Sequence, residues 1–171
     1  HMSGDENLQE AFKKGGDIHR TTAGLVLSKP PEEISQNERA KAKSINYGIV
    51  YGMGAQKLAR TIKSSVKEAR NFIDSYFARF PKIHSFIEQI VLEASKNGYS
   101  LTLLGRRRPI EGLANPKSGL EASLARNMAI NTPIQGSAAD LVKIAMIDID
   151  KWLHNENLKT RMLLQVHDEL V

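Results

Sequence analysis

Between Pro81 and Gly98 the apolar residues Ile83, Phe86, Ile87, Ile90 and Val91 recur at steps of three and four. That spacing puts them on one stripe of a helix. Proline suits the first turn of a helix and glycine its end, so the punctuation agrees with the period. Such a helix is marginal alone in water and needs other elements to cover its stripe. The rest of the chain supplies them mainly as helices. Glu6 to Lys14 carries Leu8, Ala11 and Phe12 at helical spacing and stops at Gly15-Gly16. Asp17 can cap a helix reaching about Leu27, and Lys29-Pro30-Pro31 breaks the chain. Ser35 with Glu38 three residues on makes a capping box, opening a helix that should stop near Gly52 or Gly54.

A short helix is expected over Ala55 to Ile62, and a longer one from Ser65 to about Arg79. Leu120 to Asn131 reads as helix; Pro133 breaks or restarts it, and a second segment runs from about Ile134 to Asn155. Strand formers are confined to two places. Tyr99 to Leu104 turns at Gly105 into Arg106 to Ile110, and Arg161 to Val166 turns at His167-Asp168 into Glu169 to Val171. The expected class is mostly α (α+β), with one or two small hairpins.

The chain has 171 residues, 41% hydrophobic and 25% charged, enough for one domain with a core of its own. It has no cysteine, which excludes disulfides and thiolate metal sites and fits a reducing compartment. No apolar run approaches the ~18 residues a membrane helix needs, so no membrane partner is expected. His1-Met2 reads as a cloning scar, with the native sequence starting near Ser3. Net charge is +5, and Lys57 to Arg108 holds eleven Lys/Arg against four Asp/Glu. A basic sector on a near-neutral body favours a nucleic-acid partner, although many soluble proteins are mildly basic.

The run RAKAKSINYGIVYG, Arg39 to Gly52, places Arg39, Lys43, Tyr47 and Tyr51 four residues apart. Each step of four drifts only ~40° around a helix, so the four share a face about 18 Å long. Two cations followed by two aromatics suit a ligand with a polyanionic end and a flat ring, as in a nucleoside triphosphate. A solvated basic helix with two half-buried tyrosines has the same spacing. Arg39 offers a fork to phosphate oxygens. An ammonium such as that of Lys43 can hold pyrophosphate and, if acidic enough, donate a proton to it. Arg106, Arg107 and Arg108 follow a glycine and suit phosphate contact or a solvated loop equally.

The same run resembles the fingers signature of the DNA polymerase I family (family A). DIHRTTA (Asp17 to Ala23), INTPIQGSAADLVK (Ile130 to Lys143) and QVHDELV (Gln165 to Val171) resemble further segments of that family, in the same order. The resemblance covers nearly the whole chain. It implies a helical fingers subdomain at 3–112 and palm-associated helices with a metal-site hairpin at 113–171. It implies contacts of His19, Arg39, Lys43, Tyr47 and Tyr51 with a deoxynucleoside triphosphate, Lys43 being a proposed general acid. Tyr at the position of Tyr47 is associated in the family with acceptance of dideoxynucleotides. Gly52 leaves room for the template base, and Gln135, Asn131 and His167 belong to the surface for primer–template DNA.

The family usually carries Glu-Arg where this chain has Arg126-Asn127, so either of these two residues takes the groove contact. Asp168, with Glu169 beside it, resembles the palm signature whose Asp binds magnesium, with two ions in the complete enzyme. A second bridging carboxylate belongs to a string like DYSQIELR, which this chain does not contain. The chain is therefore expected to be inactive alone and to need the remaining palm, thumb and upstream domains of a parent polymerase. A cytoplasmic, nucleoid-associated setting, or its phage or organelle equivalent, goes with that function. A non-catalytic nucleotide- or nucleic-acid-binding module on the same scaffold is the alternative.

Overall fold

The computed structural model describes residues 2–13, 15–167 and 169–171. His1 of the expected scar, Lys14 at the end of the first helix and Asp168 lie outside them. Helices α1 (Glu6–Lys13), α2 (Ile18–Leu27), α3 (Gln36–Val50), α4 (Ala55–Ile62), α5 (Val66–Arg79) and α6 (Pro81–Asn97) come first. Strands β1 (Tyr99–Leu101) and β2 (Arg107–Pro109) make an antiparallel hairpin with Ser100 opposite Arg108. Then come α7 (Gly119–Asn131), a π turn (Thr132–Gly136) and α8 (Ser137–Asn155). A last hairpin pairs β3 (Gln165–Val166) with β4 (Glu169–Leu170). The chain is mostly helical with two small strand pairs, as the sequence implies.

Local chemistry sets the helix starts. The Asp17 carboxylate accepts from the backbone N–H of His19 and Arg20 at the head of α2. Complete capping boxes, Ser35 with Glu38 and Ser65 with Glu68, open α3 and α5. The Lys29 ammonium, 2.6 Å away, and the Ser35 cap hold the Glu38 carboxyl down to about 2. Gly98 ends α6 at φ +74°, a left-handed conformation that costs glycine little.

The stripe of α6 is shared between two cores. Ile83 and Ile87 join Ile45, Ile49, Leu58, Tyr76, Phe80 and Ile130, while Ile90 and Ala94 join Ile110, Ala125 and Ala129. A third cluster, Ala23, Ile34 and Ala42, seats α2 against α3. Two expectations are corrected. The helix does not break at Pro133. Proline has no N–H to give the Ala129 carbonyl one turn back, and the Ser100 hydroxyl on β1 donates to that carbonyl instead, at 3.0 Å. The wider π turn absorbs the ring, and the helix continues into α8. The strand expected over Arg161 to Val166 is shorter: it spans Gln165–Val166, with Leu164 and Val171 exchanging backbone hydrogen bonds beside it. Further back, the Leu163 N–H shares the Val171 carbonyl, and 161–162 are not paired among the described residues.

Candidate functional site

Ala42, Ile45 and Ile49 turn inward on α3, so residues on the opposite side of that helix face solvent. Lys43 is exposed, Tyr47 is 53% exposed, and Tyr51, which caps α3, is 42% exposed. The head of α2 lies beside this face. One Asp17 oxygen accepts the backbone N–H groups of α2, and the other accepts from Arg39 Nε. That bond, above all, holds the Asp17 carboxyl below the usual range. The His19 ring stands 5.7 Å from the Tyr47 ring, centre to centre, tilted by 47°. Its Nδ1 is 3.0 Å from the Asn46 side-chain nitrogen. Burial pushes the His19 pKa down; Asp17 opposes this, and the Arg39 and Lys43 cations reinforce it. His19, Arg39, Lys43 and Tyr47 are thus gathered on one exposed surface, an anion-favouring end beside an aromatic one.

The C-terminal end of α3 meets the π turn. Gln135 Nε2 donates to the Tyr51 hydroxyl at 2.5 Å, and Asn131 Nδ2 donates to Gln135 Oε1 at 3.4 Å. Gly52 sits at φ +68°, and a Cβ on it would lie 2.5 Å from Asn127 Oδ1 and 3.2 Å from Ile130 Cδ1. The space this glycine leaves is therefore filled by Asn127 and Ile130. Arg126 points elsewhere, its guanidinium 2.8 Å from Glu88 Oε1 on α6. Of the two alternatives, Asn127 stands with Tyr51, Asn131 and Gln135. The identity of Glu88 as the partner that removes Arg126 carries no local signal, because it lies 38 residues away.

A cleft of about 360 Å³ runs beside this surface, lined by Arg106, Arg107, Arg108, Asn131, Gln135 and Gly136 among others. The three arginines are not equivalent. Arg106 pairs with Asp140 on α8 at 2.7 Å and donates to the Gly136 carbonyl at 3.1 Å. Arg107 lies over the Tyr99 ring, 4.8 Å from its centre. Arg108 alone of the three has a guanidinium without a partner among the described residues. The Thr102 hydroxyl, and then Arg106, hold the Asp140 carboxyl below its ordinary range.

The last hairpin turns at His167, at φ +53°, whose carbonyl accepts from Gln165 Nε2 at 2.8 Å. Glu169 is exposed, and Asp168 lies outside the described residues. Among the described residues no hydrogen bond or ion pair joins His167 or Glu169 to the α3 face, and no three metal-ligating side chains cluster. Two participants in the site escape sequence reasoning. Asp17 is legible as a cap but not as the partner of Arg39, and Asn46 carries no signal apart from its place in the α3 run.

The model of DNA polymerase family A matches residues 1–171. DNA polymerase I of Bacillus caldotenax is 46% identical over 171 residues, which are 100% of this chain and 19% of that protein. DNA polymerase I of Lactococcus lactis subsp. lactis is 45% identical over 172 residues, 100% of this chain and 20% of that one. The chain thus spans about a fifth of the relatives it matches. The POL domain of Pol1 from M. smegmatis, in complex with DNA primer-template and dNTP, superposes with a TM-score of 0.91 at 40% identity, over 99% of this chain and 30% of that one. Among the described residues no helix is long and apolar enough to cross a membrane.

Proposed function

The chain belongs to DNA polymerase family A, and we propose that it forms the nucleotide- and template-facing part of a template-directed DNA polymerase. The observation that carries this reading is the gathering of His19, Arg39, Lys43 and Tyr47 on one face, linked through Tyr51 to Gln135. In it, Arg39 and Lys43 bind the triphosphate of an incoming deoxynucleotide. Lys43 also stands as general acid toward the leaving pyrophosphate, because positive charge on the leaving oxygens lowers the barrier to phosphoryl transfer. Tyr47 takes the sugar and base, and Tyr51 marks the template end. Asn127, Asn131 and Gln135 offer amides to the minor groove, where every base pair presents acceptors. Arg108 offers its guanidinium to a backbone phosphate, and His167 adds a contact at the hairpin. Residues 3–112 correspond to the fingers and 113–171 to part of the palm.

Family membership points to divalent metal use in general, with magnesium as the proposed ion, Asp168 its ligand and Glu169 beside it. An ion there would neutralise charge on the phosphate oxygens. In this reading two ions need a second carboxylate beside Asp168, of the kind in the string DYSQIELR that the sequence does not contain, and the chain alone does not extend a primer. A cytoplasmic setting accompanies the function. The test is titration with a fluorescent deoxynucleoside triphosphate. Displaceable binding that Lys43→Ala weakens by tenfold or more supports the reading. Equal binding by both forms would remove Lys43, and the face it stands on, from the site.

A further inference from the structure

We propose that Asn46 and Thr22 fix the tautomer of His19, holding it as a neutral imidazole with its proton on Nε2, so that it meets a phosphate oxygen as an uncharged donor. The clause about phosphate rests on the nucleotide reading above; the clause about the tautomer does not. The inference follows from counting hydrogens. The Thr22 hydroxyl lies 2.7 Å from the Ile18 carbonyl, which can only accept, so the single hydroxyl proton is used there. Toward Asn46, 3.3 Å away, Thr22 Oγ1 can then only accept. The Asn46 atom facing it must be the amide nitrogen and not the oxygen. That same nitrogen lies 3.0 Å from His19 Nδ1 and has two hydrogens, one for each neighbour. Nδ1 therefore receives a proton and cannot also carry one, which leaves the ring proton on Nε2.

The surroundings agree. Thr22 is 1% exposed, so water does not compete for its hydroxyl. Asn46 Oδ1 is buried and has no partner among the described residues, a cost of this orientation that the two bonds of the amide nitrogen offset. The charged groups acting on the ring are Asp17 on one side and Arg39 and Lys43 on the other, with the neutral Tyr47 ring beside it. Nε2 has no partner among the described residues. A third cation next to Arg39 and Lys43 would repel both. A neutral N–H adds a directed bond to an anion without that repulsion, and it does so across neutral pH. Asn46 is thus a positioning residue that acts through His19.

Two-bond nitrogen–proton NMR of the labelled chain reads the tautomer directly. It has five histidines, and His19→Gln identifies the relevant signal. The expected result is the Nε2–H pattern with a titration midpoint below about 6.5. Asn46→Asp supplies an acceptor for Nδ1–H and should raise that midpoint by a full pH unit or more. Thr22→Val frees the amide to flip and should mix the tautomers, whereas Thr22→Ser should preserve them. An Nδ1–H ring in the unsubstituted chain overturns the proposal, as does a folded Asn46→Asp variant with an unmoved midpoint. Deoxyadenosine triphosphate is then added. If its fluorescent analogue binds in a Lys43-dependent way while the His19 signals stay unmoved, the bond to phosphate is disproved. No binding at millimolar nucleotide overturns instead the nucleotide reading beneath that clause, with the tautomer result already in hand.

Discussion

Helices α3 and α8 are both long, at 15 and 19 residues, yet they stand differently in the molecule. The inner side of α3 is sealed by Ala42, Ile45 and Ile49, and what it exposes is cationic and aromatic. Among its described residues α8 buries Ser137, Asp140 and Leu153, and it leaves Leu141, Ile144, Ile147 and Trp152 exposed. The orientation of α3 is therefore dictated by packing within this chain. That of α8 rests mainly on its N-terminal turn, through the π turn, the Leu103–Ser137 bond and the Arg106–Asp140 pair, with Leu153 buried near its other end. A residue's effect on stability should depend on which of these two regimes it belongs to.

The sharpest test lies in the sealed region. Phe80 is fully buried and its ring is 4.8 Å from that of Tyr76. Phe80→Ala should cost about 3–5 kcal/mol in urea unfolding; a loss under ~1 kcal/mol would mean that this core does not hold the chain. The next effect falls on the seam between α3 and α7. Gly52→Ala adds a Cβ at positive φ, 2.5 Å from Asn127 Oδ1, and should destabilise by about 1–3 kcal/mol. Asn127→Ala in the same chain should recover part of the lost thermal midpoint, and no recovery would dissociate the two.

At the root of α8 the effect is one of pH. The Asp140 carboxyl is held below the unfolded value of about 3.9. Its contribution is thus complete above that value and is lost as pH falls through the lower, folded one. Asp140→Asn should flatten the acid side of the stability profile, and an unchanged slope would remove the Arg106 pair from the account of α8. The smallest change is expected on the open face. Ile147→Ala, at a side chain 54% exposed, should stay within about 0.5 kcal/mol, and a larger loss would break the comparison itself.

What the sequence made legible follows the reach of each interaction. A capping box acts over three residues, so Ser35 and Glu38 announce α3; Ser65 marks the start of α5, and α4 has the bounds expected of it. The shared face of Arg39, Lys43, Tyr47 and Tyr51 is equally local. Pro133 misleads because the donor that lets the helix continue is Ser100, on another element. The choice between Arg126 and Asn127 depends on Glu88, and the parts played by Asp17 and Asn46 depend on how α2 packs against α3. Each lies beyond what a pattern within one segment can encode.

The π turn at Thr132–Gly136 is also a phase shifter. A wide turn takes up about one residue more than a regular one, and each residue of a helix is worth ~100° of azimuth. Removing a residue between Asn131 and Ser137 would let the helix run on in regular pitch. All of α8 would then arrive rotated by more than a quarter turn. Asp140 would swing away from Arg106, and the open apolar side of α8 would point in a new direction, while α7 stayed where it is. The five residues of that turn thus set the angular alignment of everything downstream against the amides that meet Tyr51.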